Sequence, residues 1–178
     1  MSILDQTTTL PAGAYAVDRV HSSLAFEVDY MAVGAFTGTV TDFGAELDDG
    51  RLTGSARIAT IEVKDENLRA HLLSPEFFDA ERHPEVSFST GEAQSDGSEV
   101  RFDGEITIKG VTRPATLAGT ITGPQTDPYG NERYGLRLET TIDRTAFGIT
   151  WNADMPNGTK ALADEVTLRA DLSLVKAT

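Results

Sequence analysis

The segment SLAFEVDY, Ser23–Tyr30, decides the fold class. Its apolar residues Leu24, Phe26 and Val28 occupy every second position, and the intervening positions are mostly polar or charged. Successive side chains of a β-strand point to opposite faces, so this period of two predicts a strand with one buried face and one solvated face. Such half-buried strands are typical of antiparallel sheets.

The same alternation recurs along the chain. It is clearest in Val100–Lys109, Leu136–Asp143 and Val166–Leu174. Shorter candidate strands are Tyr15–Asp18, Phe36–Leu47, Leu52–Ile58, Val86–Thr90 and Ala115–Thr122. Within Phe36–Leu47 the apolar phase slips, which predicts a bulge or a strand that bends around a barrel corner. Turn residues such as Asp48-Asp49-Gly50 separate neighbouring strands.

One segment breaks the alternation. Apolar residues four apart predict a helix over Glu66–Leu73. Ser74-Pro75-Glu76 has the composition of an N-cap and a first helical turn, and it predicts a single turn that leads to Phe77-Phe78. About eight or nine strands with one short helical insertion indicate an all-β fold, a closed antiparallel barrel. A two-sheet sandwich is the alternative, because periodicity alone does not separate the two architectures.

Composition and charge exclude several classes of protein. Lys and Arg number 15 against 28 Asp and Glu, which gives a formal net charge of −13. This balance argues against a nucleic-acid partner and against stable anchoring on an anionic membrane, since both need a surplus of basic residues. Cysteine is absent, which excludes disulfides, a thiol nucleophile and zinc sites built on thiolates.

The length of 178 residues favours one domain. We predict a flexible N-terminal segment over residues 1–12 and a single barrel domain over residues 13–178. The first ten residues contain neither the basic nor the apolar region of a secretory leader. We therefore expect a cytoplasmic protein.

Catalytic and metal-binding patterns are close to absent. The histidines His21, His71 and His83 have no metal-binding spacing. We predict no metal site, and only a site assembled from distant strands stays open. Asp18, His21 and Ser22 superficially resemble a nucleophile–base–orienter set, but side chains so close at a strand entry rarely aim at one point. They are better explained as partners of turn backbone groups, so we predict no catalytic residues.

Four glycines fall on the apolar phase of their strands, where a core side chain is expected: Gly38, Gly54, Gly104 and Gly119. Missing side chains on an inward face leave volume, and a barrel of about eight strands can just hold one elongated ligand. Glycines also relieve the curvature of tightly bent strands. The sequence leaves both explanations open.

Several charged and aromatic residues lie near the expected barrel rim. Arg69, on the helix, and Arg144, at a strand end, either pair with carboxylates to anchor the helix or meet the polar head of a ligand. Phe77, Phe78, Phe147 and Trp151 are either core aromatics or a platform for a ligand. The structural role is the simpler interpretation for both groups.

Four ordered blocks resemble the YceI-like, or polyisoprenoid-binding, family: Val17–Phe26, Leu68–Asp79 with His83-Pro84, Gly104–Pro114 and Ile142–Trp151. The match runs over about Gly13–Val175. The resemblance implies an extended, lipocalin-like barrel of eight antiparallel strands with a helical insertion. It also implies an elongated apolar cavity for a polyisoprenoid or similar lipid, no other cofactor, and often a homodimer.

With this resemblance, we expect the lipid to contact the apolar residues Phe26, Val28, Tyr30, Met31, Phe36, Val40, Leu72, Phe77, Phe78, Phe88, Phe102, Ile106, Phe147, Ile149 and Trp151. The candidates for the lipid head group are His21, Arg69, His71 and Arg144. Two positions depart from the family pattern. Tyr30 replaces a usual histidine, and Ala70 replaces a usual acidic residue that would partner Arg69.

The favoured function is non-enzymatic binding, storage or transport of an elongated apolar lipid such as a polyisoprenoid or an isoprenoid quinone. The strong negative charge favours a neutral head group, such as a quinone or an amide. One alternative is a barrel enzyme that acts on such a lipid, with His21, His71 or Arg144 as acid–base groups. A second alternative is a stress-linked interaction protein whose cavity is vestigial.

Overall fold

The structure is a computed structural model that describes residues 10–177. Its strands are β1 (Ala14–Val17), β2 (Ser23–Tyr30), β3 (Gly34–Val40), β4 (Phe43–Asp48), β5 (Arg51–Arg57), β6 (Ile61–Glu62), β7 (Glu85–Glu92), β8 (Gln94–Asp96), β9 (Glu99–Ile108), β10 (Val111–Thr126), β11 (Glu132–Asp143) and β12 (Leu162–Lys176). The helix α1 spans Glu66–Leu73, and 3₁₀ turns span Arg19–His21, Ile58–Thr60 and Arg144–Phe147.

Eight strands close into an antiparallel barrel. Strands β1, β4, β5, β7, β9, β10, β11 and β12 pair in this order, and β12 pairs with β1 to complete the ring. Strand β12 is long enough to pair with β2 as well, and β3 and β6 follow β2. The predicted all-β barrel with one short helix is confirmed, and the sandwich is excluded because the ring of strands is closed.

Three strands of the ring, β1, β4 and β5, are each joined by a short break in the chain to a strand outside the ring. The Arg19–His21 turn separates β1 from β2, the Ile58–Thr60 turn separates β5 from β6, and Thr41 and Asp42 separate β3 from β4. The phase slip in Phe36–Leu47 therefore marks a break between two strands. The Asp42 carbonyl accepts from the Arg57 backbone N–H at 2.9 Å, so this corner is pinned to the next strand.

Helix α1 begins and ends where the sequence predicted. Asp65 is its N-cap, because an Asp65 carboxylate oxygen accepts from the Leu68 backbone N–H at 2.8 Å. The prediction of Ser74 as an N-cap was wrong: its hydroxyl donates back to the His71 carbonyl at 2.6 Å and closes the end of α1. The Ser74 carbonyl accepts from the Phe77 backbone N–H, so a turn does follow and brings Phe77 into the core.

The four inward glycines do not create the cavity. A methyl group at Gly38 would overlap the ring of Phe26, and one at Gly54 would lie 2.6 Å from the ring of Phe88. Each of these rings lies over the glycine directly opposite it on the paired strand. At Gly104 and Gly119 an added methyl would overlap backbone atoms of the neighbouring strand. Glycine at these positions permits the close approach of a ring or of a neighbouring strand, and these glycines therefore do not supply empty volume.

The core is solid at the barrel end where β1 begins. Tyr15 packs edge-to-face on Tyr134, with ring centroids 5.3 Å apart, and Leu47 and Leu174 are fully buried beside them. Of the segment predicted as flexible, residues 1–9 lie outside the described residues. Leu10 packs against the core and Pro11 is buried. Among residues 10–177, no helix has the length and apolar character needed to cross a membrane.

Candidate functional site

A cavity of about 160 Å³ occupies the other end of the barrel interior, beneath α1. Its volume is on the order of ten times that needed for one water molecule, so it exceeds an ordinary packing defect. Nearly every strand of the barrel contributes to its wall, and almost all the lining side chains are apolar. The cavity can therefore hold an apolar group of many atoms, but it offers little to a polar one.

Three kinds of element position the lining. The alternation of β2 turns Phe26 and Val28 inward. Helix α1 lies over the barrel and contributes Leu72, and the turn after it contributes Phe77 and Phe78. The long connection between β11 and β12 adds Ile149 and Arg144 to the lining.

Ten of the predicted lipid-contacting residues line this cavity. They are Phe26, Val28, Phe36, Val40, Leu72, Phe77, Phe78, Phe88, Ile106 and Ile149. The fold brings these ten residues together around one cavity. That they contact a lipid stays a prediction.

Five predicted residues lie outside the lining. Tyr30 and Met31 are exposed, because β2 ends at Tyr30 and the chain reverses through Met31 in the left-handed conformation with φ of 56°. Alternation along the strand therefore no longer directs them inward. Phe102 is fully buried but belongs to the filled part of the core.

Phe147 and Trp151 lie near the cavity without lining it. Phe147 is buried in the 3₁₀ turn that follows β11. Trp151 packs behind the lining, against Phe77 at a centroid distance of 5.5 Å and edge-to-face on His71 at 4.7 Å. Trp151 thus supports the wall of the cavity and joins the β11–β12 connection to α1.

Arg144 is the head-group candidate that lines the cavity. Its guanidinium is buried, with Nε donating to the Ala163 carbonyl at 2.8 Å. Nη1 donates to the carbonyls of Ile149 and Trp151 at 2.9 and 2.8 Å. The same side chain therefore borders the cavity and holds both ends of the β11–β12 connection. This combines the structural and the ligand-facing roles that the sequence left as alternatives.

The electrostatics of Arg144 are set by its burial. Removal from water lowers the pKa of the Arg144 guanidinium, and the nearby carboxylates of Asp164 and Asp143 oppose that shift. Nη2 is buried and has no hydrogen-bond partner among residues 10–177. A cationic side chain therefore stands at the border of a mostly apolar cavity.

His71 lies in the last turn of α1, the helix that covers the cavity. Its Nε2 is hydrogen-bonded to a Glu76 carboxylate oxygen, and its ring packs edge-to-face on Phe77 at a centroid distance of 4.8 Å. His71 is not among the residues that line the cavity. Through these contacts and its packing on Trp151, His71 holds the turn after α1 against the Trp151 ring.

Arg69 and His21 are occupied by structural contacts. Arg69 donates from Nε to the Ile61 carbonyl at 2.9 Å and from Nη2 to the Ala59 carbonyl, so it anchors α1 on the barrel. Its partners are backbone oxygens rather than carboxylates. This agrees with Ala70, which supplies no acidic partner. His21 is exposed and bonds through Nδ1 to Asp18 at 2.7 Å. Neither residue lines the cavity.

Most lining residues missed by the sequence are apolar. Among them are Phe43, Ile61, Val86, Ile108, Leu138, Leu162 and Leu168. Most of them occupy the inward phase of a strand, so alternation marked them as core but did not separate cavity wall from solid core. Leu162 gave no signal, because it precedes the alternating part of β12.

Other charged groups at the lining are already paired. Arg169 Nε donates to Glu139 at 3.1 Å, and both side chains are largely solvated. Between residues 10 and 177, no group of three or more His, Asp or Glu side chains could hold a metal ion. Arg144 is therefore the charged lining group whose donor is left over.

Comparison with known proteins identifies the family. The family profile for the YceI-like domain matches residues 15–174. Protein YceI of Salmonella newport is 27% identical over 158 residues, covering 84% of this chain and 83% of that protein.

Two solved structures share the fold. BcnA of Burkholderia cenocepacia superposes with a TM-score of 0.70 at 20% identity, covering 91% of this chain and 99% of that one. A polyisoprenoid binding domain from Saccharophagus degradans, implicated in plant cell wall breakdown, gives a TM-score of 0.70 at 10% identity. It covers 92% of this chain and 98% of its own. The fold and the extent of the profile match together show that the chain belongs to the YceI-like family.

Proposed function

We propose that this protein binds an elongated apolar lipid, such as a polyisoprenoid or an isoprenoid quinone, inside the barrel. The observation that carries the proposal is the cavity of about 160 Å³ with an almost wholly apolar lining. Family membership supports the same function, as does the fold shared with a polyisoprenoid binding domain.

Burial of an apolar chain supplies enough free energy for useful binding. Each buried methylene contributes about 0.8 kcal/mol, so ten of them give roughly 8 kcal/mol before entropic costs. That corresponds to about micromolar affinity for a chain whose ordering costs nothing. An apolar lining can therefore bind a lipid chain without a set of polar groups that converge on the ligand.

The placement of the titratable residues favours binding over catalysis. A barrel enzyme needs at least two such groups aimed at the ligand. His21 is bonded to Asp18, and His71 is bonded to Glu76. Of the three residues proposed as acid–base groups, Arg144 alone borders the cavity. The cavity also disfavours the vestigial alternative, because bulky side chains fill only one end of the barrel.

The biological role that we attach to this binding is storage or transport of the lipid. We further propose that the protein forms a homodimer, which the family resemblance supports, and that it acts in the cytoplasm. Sedimentation equilibrium of the purified chain measures the dimer directly. A monomer at all accessible concentrations would contradict that part of the proposal.

Native mass spectrometry of the purified protein, followed by organic extraction, tests the proposal. We expect a mass excess that disappears on gentle activation, and an extracted lipid of matching defined mass. The extracted protein should then take up an added long-chain lipid in a ratio of about one per cavity. A protein that carries no lipid and takes none up would contradict the proposal.

A further inference from the structure

The β11–β12 connection leaves one strong donor without a partner. Arg144 borders the cavity, and its Nε and Nη1 are used by three backbone carbonyls. Its Nη2 is buried and makes no hydrogen bond to any residue that the structure describes. Buried polar groups in folded proteins are almost always paired, and an unpaired cationic donor is among the most costly exceptions.

Neither nearby carboxylate, of Asp143 or of Asp164, forms a hydrogen bond with Nη2, and Asp143 accepts its bonds from Thr145. The Asp164 carboxylate lies 3.9 Å from Nη2, beyond hydrogen-bond distance, and 68% of its side chain is exposed to solvent. Water therefore screens most of its attraction for the guanidinium. The three carbonyl partners orient Arg144 but carry no charge. A further acceptor is the group that this site lacks.

The other head-group candidates each make hydrogen bonds elsewhere in the fold and lie outside the lining. Arg69 bonds to two carbonyls of the barrel, and His71 bonds to Glu76. His21 bonds to Asp18. Of the four head-group candidates, Arg144 is therefore the one placed to contact the polar end of a ligand in the cavity.

We propose that the lipid enters with its polar end toward Arg144 and that an oxygen of this end accepts a hydrogen bond from Nη2. This inference rests on the proposed lipid binding and specifies the head group: a carbonyl or carboxylate oxygen fits, and an amine does not. Nη2 is covered by neighbouring atoms, so the oxygen reaches it after a small shift of the guanidinium or of a lining side chain.

Infrared spectroscopy of bound 2-heptadecanone, labelled with ¹³C at the carbonyl, tests the contact in the delipidated wild-type protein. This probe has one neutral acceptor oxygen and no donor. We expect the frequency of its carbonyl stretch to be lower than in hexane and no higher than in a hydrogen-bonding solvent. A bound ketone with the frequency it has in hexane would overturn the inference while leaving lipid binding intact. Failure of the ketone to bind at all would instead count against the proposed function.

Arg144→Lys tests which residue is responsible. Lysine keeps a positive charge but cannot serve the three carbonyls and a ligand together. We expect the ratio of the affinities for 2-heptadecanone and heptadecane to fall about tenfold, the usual effect of losing one hydrogen bond to a charged donor. The ratio cancels differences in chain burial. Arg69→Lys is the matched control and should leave it unchanged; an equal fall in the control, or none in Arg144→Lys, would overturn the assignment.

Two further probes distinguish the sources of the oxygen. If the buried charge dominates, hexadecanoate should displace 2-heptadecanone at equal concentration; if a neutral head group is preferred, it should not. In either case hexadecylamine should displace the bound ketone at least tenfold less well than unlabelled 2-heptadecanone does, because the amine brings a second cation to Arg144. Displacement by the amine as effective as by the unlabelled ketone would contradict the inference. Should Arg144→Lys fail to fold, the infrared and displacement measurements on the wild type still decide it.

Discussion

Asp18 ties a bent strand to the barrel wall. Its carboxylate accepts hydrogen bonds from His21 Nδ1 at 2.7 Å, from Arg133 Nη1 at 3.0 Å and from the Val20 backbone N–H at 3.0 Å. These bonds, above all the one from His21, lower the pKa of the Asp18 carboxyl from 3.8 to about 2. Arg133 extends the network to Asp127, whose pKa it also lowers. The predicted role of Asp18, His21 and Ser22 in turn structure agrees with these contacts.

The depressed pKa of Asp18 makes stability depend on acid. Because its folded pKa lies below the unfolded value, the stabilisation is complete above pH 3.8 and is lost as the pH falls through about 2. We expect the free energy of unfolding of the wild type to fall between pH 4 and pH 2. Urea unfolding across this range, with Asp18→Asn as control, measures the effect. An equally steep fall in the variant would show that Asp18 does not contribute.

Gly119 is predicted to be intolerant of any side chain. A methyl group there would overlap the Arg137 carbonyl oxygen on the paired strand, and backbone cannot rotate aside as a side chain can. We expect Gly119→Ala to lower the free energy of unfolding by about 2 kcal/mol or more. Gly44→Ala is the matched control, since a methyl group at Gly44 would meet no atom of the described residues within 4 Å. Equal effects of the two substitutions would contradict the close-approach explanation.

At the scale of elements, α1 is held on the barrel mainly by Arg69 and by packing of Leu72. Arg69→Met removes the donors that reach the Ile61 and Ala59 carbonyls. We expect amide hydrogen exchange of residues 66–73 to accelerate by tenfold or more, with little change in the barrel strands. Arg82→Met is the control, because Arg82 is exposed and its approach to Asp79 is 3.9 Å. Unchanged exchange in α1 of Arg69→Met would contradict the anchoring role.

The elements that the sequence predicted best are those with a strong local signal. The alternation in Ser23–Tyr30 coincides with β2, and the spacing of apolar residues located α1. The break between β3 and β4 was detected as a phase slip, but only pairing with β1 and β5 shows that it separates two strands. Ser74 was misassigned because a serine beside proline has the same composition at either end of a helix, and the direction of its hydroxyl depends on the preceding turn.

At the scale of the whole molecule, the cavity depends on distances across the barrel that no single strand encodes. Phe88 and Phe102 have the same inward phase, yet Phe88 lines the cavity and Phe102 lies in solid core. The inward glycines were ambiguous for the same reason, because their space is filled by rings or backbone of the paired strand. Arg144 was named from its position at a strand end, but its leftover donor follows only from the folded β11–β12 connection.

The most direct test of the account is lipid occupancy after the cavity has been filled. Ala170 is on the inward face of β12 and lines the cavity, so Ala170→Phe places a ring where the lipid chain is expected. Ala118→Phe adds the same ring on the exposed face of β10. By native mass spectrometry, we predict that the wild type and Ala118→Phe carry the lipid and that occupancy of Ala170→Phe falls at least tenfold. Equal occupancy in all three proteins would contradict binding inside the barrel.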